Sequence, residues 1–520
     1  MQSLDWIILT LYLGAMIGLS LWLARGQEDE HDYYVGGRKL SWWAVGISIV
    51  ATQSSAISFV SIPAFVALRP GGGLTWLQYE LAVPLAMLFL LVFLVPYLRA
   101  LSLVSVFEFL RVRFGAPTGK ALAIIFLLSR GLATGIGVYA TGLVLAPMLE
   151  WSLTSTLLLI GVVAVIYDTI GGIKAVVASD VVQLALMMGG VIFAIGLACA
   201  EVGGAGAAWE ALGAERRTAV DWSTGIGDGA TAPFWAFLVG GFFLYASYYG
   251  TDQSQVQRLL STSSPREAQK AVLLGGLLRL PLTLLYVALG VAIGAVFALS
   301  PELQAAVPAD KLDALVPQFI LLYVPAGFKG LILAAILAAA MSSVDSALNS
   351  LSAVTMRDFV TPLLKPDTPH HLRWSKITTL AWGVLVTGAA FLAGGIDRTV
   401  IEAINKIGSA FYGPVLATFL LGIFTRRARG KAMLIGVLAG VAANMLVWIS
   451  GWPVHWMWWN VLGCAVTVVT ALSGDMVWKQ ANDGAPKLPL ASRPDREVGW
   501  AAAALLAAFG VTLALVVGLH

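Results

Sequence analysis

About fourteen stretches of this chain run for the length of a bilayer-crossing helix with scarcely a charge in them: 4–24, 41–69, 74–98, 120–148, 152–170, 178–200, 233–257, 270–299, 327–357, 374–395, 399–424, 431–450, 454–473 and 498–518. Each can cross ~30 Å of hydrocarbon as a helix. The apolar residues are continuous rather than alternating, which excludes barrel strands. Charged residues make up 12% of the 520, against about 25% in a soluble domain. The sequence therefore predicts an all-α integral membrane protein whose surroundings are the lipid bilayer.

The basic residues test that segmentation. With the N-terminus outside and the segments alternating, the inside connections hold 23 Lys and Arg, the outside ones 5, and the spans 4. This asymmetry predicts a multi-pass protein of the cell (inner) membrane with an outside N-terminus. The net charge of +3 is topology, with no nucleic-acid partner. Residues 4–24 do not read as a cleavable signal: no Lys or Arg precedes the run, and it ends at Arg25 rather than at small residues. Loops 201–232 (outside, able to cover an entrance) and 477–497 (an inside linker) join spans. The sequence carries no signal for oligomeric state.

Two of the segments are polar where a lipid-facing helix would not be. In 327–357 the residues Ser342, Asp345, Ser346, Asn349 and Ser350 fall on one helical face. An intramembrane carboxylate normally faces a partner, an ion or water. Hydroxyls and carboxylates are hard ligands suited to a small hard cation, although small residues also serve as helix-packing contacts. In 41–69 the middle reads Ala51-Thr52-Gln53-Ser54-Ser55-Ala56-Ile57-Ser58, with Pro63 beyond. A spanning helix that is polar at its midpoint can be unwound there, leaving carbonyls free for an ion. Counted at 1.5 Å per residue, the two patches meet near mid-membrane, and Asp180 can approach Ser346 nearer the inside. That gives two stations along one path.

Other chemistries are absent from the sequence. Cys199 and Cys464 are the only cysteines, and the five histidines have no metal-ligand spacing. The glycine runs 71–73 and 131–137 lack a following GK[ST], so no nucleotide supplies energy.

Residues 48–64 (SIVATQSSAISFVSIPA), 171–183 (GGIKAVVASDVVQ), 252–258 (DQSQVQR) and 336–351 (ILAAAMSSVDSALNSL) resemble the sodium:solute symporter family along nearly the whole chain. The resemblance implies a LeuT-type fold. Two inverted five-helix repeats would occupy about 41–200 and 233–424, after one leading helix at 4–24 and before three trailing helices in 431–518. It implies a main Na+ site at the carbonyls of Ala51, Ser54 and Ala339 and the hydroxyls of Ser342 and Ser343. A second site, present in some members including sialic acid carriers, corresponds to Asp180, Ser342, Asp345 and Ser346, with Asp345 standing where those members have serine. The small-molecule substrate pocket would be lined by Gln53, Ser55, Ser58, Phe59, Gln78, Tyr248, Tyr249 and Asn405. The arginine that holds a carboxylate in sialic acid carriers corresponds to Ala133, and Arg130 lies one turn away, able to face the pocket or to pair with Glu80. Glu80 and Arg279 roughly match the glutamate and lysine of sodium–galactose carriers, which speaks for a neutral sugar.

The resemblance thus implies a sodium-coupled symporter, not an enzyme, that imports a sugar, a sugar acid such as sialic acid, or a carboxylate by alternating access. A membrane solute sensor with the same fold is the alternative, disfavoured because no signalling domain accompanies the spans. An intramembrane enzyme would need a nucleophile–base pair or metal-ligand spacing, and neither is present.

Overall fold

The protein is described by a computed structural model covering residues 1–220, 232–364, 370–393, 400–477 and 498–519, together with Trp222, Gly227, Leu488 and Leu490. The linker expected at 477–497 and the end of loop 201–232 lie almost wholly outside the described residues, as does Arg398 of the outside charges. Among the described residues there is no β-strand beyond one isolated bridge, Leu40–Thr262.

Among the described residues eleven helices are long and apolar enough to cross a membrane, or twelve when a bent pair is counted as one span. We number the helices used here in chain order. They are α1 (Ser3–Leu23), α2 (Trp42–Gln53), α3 (Ala56–Ala67), α4 (Leu74–Ala100), α5 (Ala116–Leu149) and α6 (Leu153–Glu201). There follow α7 (Gly241–Thr251), α8 (Gln253–Leu260), α9 (Pro265–Leu299), α10 (Phe328–Thr355) and α11 (His371–Leu392). The last four are α12 (Val400–Phe424), α13 (Gly430–Ser450), α14 (Met457–Val477) and α15 (Gly499–Gly518).

The count of fourteen is not reproduced one for one. Segments 152–170 and 178–200 run together as the 49-residue α6, broken only at Gly172 (φ 57°, ψ −162°). A Cβ there would meet the Tyr33 carbonyl at 2.6 Å, so this bend requires glycine on both counts. Segment 233–257 is interrupted where Asp252 leaves helical geometry and caps α8, accepting from Ser254 N at 2.8 Å.

Segment 41–69 is broken, as its polar midpoint predicts. Helices α2 and α3 meet at 57°. The break lies at Ser54–Ser55 rather than at the proline: Ser55 is extended (φ −86°, ψ 170°) and its hydroxyl accepts from Ser58 N, a serine N-cap that starts a new helix. Pro63 is carried inside α3.

Helix α10 is the axis of the molecule. Its apolar window is 89% buried, against 17% for α1 and 22% for α15, and it packs against α1, α5, α6, α8 and α11. The glycines of 131–137 serve packing: a Cβ on Gly131 would meet the Trp382 ring at 3.1 Å and one on Gly135 the Ala389 Cβ at 2.8 Å, so they let α5 lie close to α11.

Candidate functional site

The break between α2 and α3 is set against the serine face of α10. The Ser343 hydroxyl donates to the Thr52 carbonyl at 3.0 Å and, one turn back, to Ala339 O at 3.4 Å. Ala51 is buried and its carbonyl accepts from Ser54 N at 3.0 Å. Two helices distant in sequence thus bring only hydroxyl and carbonyl oxygens to one place, a ligand set suited to a weakly held alkali ion. Ser342 turns the other way, its hydroxyl donating to Asp180 Oδ1 at 2.5 Å.

Asp180 heads a second, fully buried cluster. It accepts from Ser48 and Ser342, and Arg258 Nη2 lies 3.2 Å from its Oδ2. Arg258 also donates to Ser48 Oγ at 2.5 Å, to Ser346 Oγ and to the Ser254 carbonyl. Ser346 donates to Ser342 O at 2.5 Å and lies 3.1 Å from Thr52 Oγ1. The guanidinium therefore sits among Asp180, Ser342 and Ser346, three of the four residues of the expected second station. Asp345, the fourth, is buried on the same helix, and neither of its carboxylate oxygens has a hydrogen-bond partner.

Beside the break lies an interior cavity. Gln53, Ser55, Ser58, Arg130, Tyr248 and Asn405 line it, with Thr52 and Ser343 on the side of the serine helix. Phe59 and Gln78 do not. Phe59 points the other way around α3 and packs edge-on against Tyr286, and Gln78 donates to the Ala232 carbonyl at 2.8 Å. Tyr249 is buried against Tyr245 and Tyr248 and is also absent from the lining. Trp76, Ala133, Thr134, Arg279, Tyr412 and Trp456 are also among the lining residues.

Both arginines of the cavity are paired. Arg130 lies 3.6 Å from Asp252 and above the Tyr248 ring, so its partner is Asp252 rather than Glu80. Glu80 is held by Arg279 at 3.0 Å and by Thr283 at 2.8 Å. The Nε of each arginine lacks a partner, which leaves one edge of the Arg130 fork for a ligand.

Sequence reasoning assigned no role to Arg258 or Asp168. Arg258 is in the DQSQVQR segment, and a buried arginine demands a counter-charge. Asp168 is the only carboxylate in run 152–170, and a lone carboxylate in an apolar span is itself a signal.

An interior cavity beside a broken helix, with an oxygen-only niche on its wall and several spans around it, defines a secondary transporter. The sodium:solute symporter family profile matches residues 33–440. A sodium/sialic acid symporter of Aliivibrio fischeri is 30% identical over 473 residues, 90% of this chain and 92% of its own. A sodium/glucose cotransporter of Vibrio parahaemolyticus is 28% identical, over 85% and 84%. A solved Na+-coupled sialic acid symporter, substrate-bound and outward-open, superposes with a TM-score of 0.82 at 26% identity, covering 95% of this chain and 99% of that one. The chain belongs to the sodium:solute symporter family. It is a sodium-coupled carrier of small polar solutes and not an enzyme, and nothing supports the sensor alternative.

Proposed function

We propose that the solute is a polar organic acid, of the sugar-acid or carboxylate type, imported with sodium across the inner membrane. The observation that carries this reading is Arg130, whose guanidinium lines the cavity with one edge unpaired. A planar fork of donors is the group that receives a carboxylate. The charge balance agrees. Arg130 with Asp252 and Arg279 with Glu80 are two neutral pairs, so one sodium ion and one carboxylate can enter together without net charge. The Glu80 carboxylate is spent on Arg279 and Thr283, which weighs against the neutral-sugar reading. The sialic acid carriers among the relatives favour the same class.

Sodium would bind at the carbonyls of Ala51, Ser54 and Ala339 and the hydroxyl of Ser343; the Ser342 hydroxyl joins them only by leaving Asp180, to which it donates here. The Ser343 hydroxyl donates to the Thr52 carbonyl; turning its oxygen to a bound ion would tie α10 to the α2–α3 break through that ion. Gln53, Ser55, Ser58 and Asn405 supply donors and acceptors for solute hydroxyls. The repeats 41–200 and 233–424 then rock about this point, an assignment supported by the broken first helix of each, at Ser54–Ser55 and at Asp252. The ion leaves toward the inside, opposite an outside N-terminus. With one sodium ion per carboxylate no net charge moves and the sodium concentration gradient is the drive; each sodium ion beyond that would add ~2.3 kcal/mol per 100 mV.

The test is uptake by proteoliposomes after a thermal-shift screen of sugars, sugar acids and monocarboxylates with and without sodium. We expect acids to stabilise only in sodium and to accumulate under an inward sodium gradient. Stabilisation by neutral sugars alone refutes the carboxylate reading.

A further inference from the structure

Arg279 lines two cavities. One is the solute cavity; the other, of about 190 Å³, lies between α4, α9 and α15. Glu80 lines only the second. Apart from this pair the walls are apolar, with Val83 and Pro84 from α4, Leu280 from α9 and Ala508 from α15. Thr512 is the one other polar side chain there, and it donates to the Ala508 carbonyl of its own helix at 2.8 Å. A Cβ on Gly276 would meet Leu505 at 2.8 Å and Met87 at 3.1 Å, so α15 closes on α9 and α4 at that point. The rim is exposed: Leu277 by 38% and Val511 by 60%. Both belong to membrane-crossing helices, and a mouth framed by exposed apolar side chains on such helices opens to hydrocarbon rather than to water.

At the inner end the ion pair is only half used. Glu80 is 1% exposed and Arg279 11%. Arg279 Nη2 reaches Glu80 Oε1 at 3.0 Å, and Thr283 donates to the same oxygen at 2.8 Å. Glu80 Oε2 and Arg279 Nε have no partner. One acceptor and one donor are therefore left unmet at the edge of an apolar cavity, each at a cost of about 1–3 kcal/mol or more. Their groups are already joined at 3.0 Å, so a single atom can serve both.

A hydroxyl is that atom: its O–H donates to Oε2 while its lone pair accepts from Nε. A carboxylate brings no proton for Oε2 and is repelled by it. An ammonium brings no lone pair for Nε, and an alkane leaves both atoms unmet. A water molecule would meet the pair but leave the apolar remainder empty, and apolar cavities of roughly 150 Å³ stay dry and take up apolar molecules. The chemistry thus asks for a hydroxyl carried on an apolar body.

We propose that this lateral cavity binds an uncharged, hydroxyl-bearing amphiphile of the bilayer, with its hydroxyl on Glu80 and Arg279 and its chain leaving between α9 and α15. The site is separate from the solute cavity and does not depend on which solute is carried. Arg279 walls both cavities, so occupancy of one bears on a guanidinium that faces the other, and any coupling of the two affinities is reciprocal.

The probe is n-decanol with a diazirine on its chain, added to the full chain in phosphatidylcholine vesicles. After irradiation and digestion, label should fall on the α9 and α15 peptides that flank Leu277 and Val511. Unlabelled n-decanol should displace it, and decyl methyl ether, which cannot donate to Oε2, should need about tenfold more at equal membrane partition. Ala508→Phe fills the cavity without touching the pair and should abolish the displaceable label; its thermal midpoint reports folding, and Ala508→Leu reads the same loss if it does not fold. Glu80→Gln puts a donor where Oε2 stood, so the ether should then displace label as well as the alcohol does. Label that n-decanol does not displace, label that survives Ala508→Phe, or equal displacement by alcohol and ether in the unaltered protein overturns the proposal.

Discussion

The Asp180–Arg258 pair permits a quantitative test of how dry the centre of this carrier is. The charges are 3.2 Å apart, with side-chain exposures of 0% and 1%. In water two such charges attract by about 1.3 kcal/mol, and at an effective dielectric constant of ~20 by about 5 kcal/mol. Arg258→Met leaves Asp180 with two hydroxyl donors, Ser48 and Ser342, and an uncompensated charge, which costs about 3–5 kcal/mol. Asp180→Asn strands the guanidinium and costs a similar amount. The double variant has no stranded charge and should lose only ~1–2 kcal/mol. The expected coupling is therefore at least ~3 kcal/mol. The measurement is detergent-driven unfolding of the purified protein in sodium-free buffer, followed by circular dichroism and tryptophan fluorescence, for all four corners of the cycle. If the double variant loses the sum of the singles to within ~0.5 kcal/mol, each charge is solvated on its own and the pair does not sit in a dry interior.

Other perturbations reach the rest of the site. Ser343→Ala removes the hydroxyl that joins α10 to the Thr52 carbonyl; sodium affinity should fall about tenfold, equivalent to ~1.4 kcal/mol, and unchanged sodium dependence of uptake would exclude Ser343 as a ligand. Arg130→Ala should weaken acidic solutes by about tenfold or more while sparing neutral ones, checked by competition against uptake; an equal loss for both classes assigns Arg130 to packing. Gly172→Ala forces a side chain into φ 57°, ψ −162° and against the Tyr33 carbonyl, a cost of at least ~1–3 kcal/mol. Its thermal midpoint should drop, whereas that of Gly189→Ala, whose Cβ would meet nothing within 4 Å, should not.

The sequence by itself determined that this chain lives in a bilayer, that its spans are helices, and that one of them can unwind at its polar midpoint, residues 51–58. Those are consequences of local composition: continuous apolar runs leave the backbone no partner but itself, and a pair of serines can cap a new helix where the old one stops. The helical period also put Ser342, Asp345 and Ser346 on one face of α10. It could not say what that face meets. Only the tertiary structure decided that Ser343 turns to the Thr52 carbonyl while its neighbour Ser342 turns to Asp180, 100° around the same helix. The same holds for Arg130, whose partner is Asp252 and not Glu80, and for Phe59 and Gln78, which face away from the cavity. Arg258 is the clearest case. Its long side chain crosses from α8 to a carboxylate 78 residues away, and no pattern within either segment encodes that meeting, because helix packing rather than sequence spacing sets which charges share a dry interior.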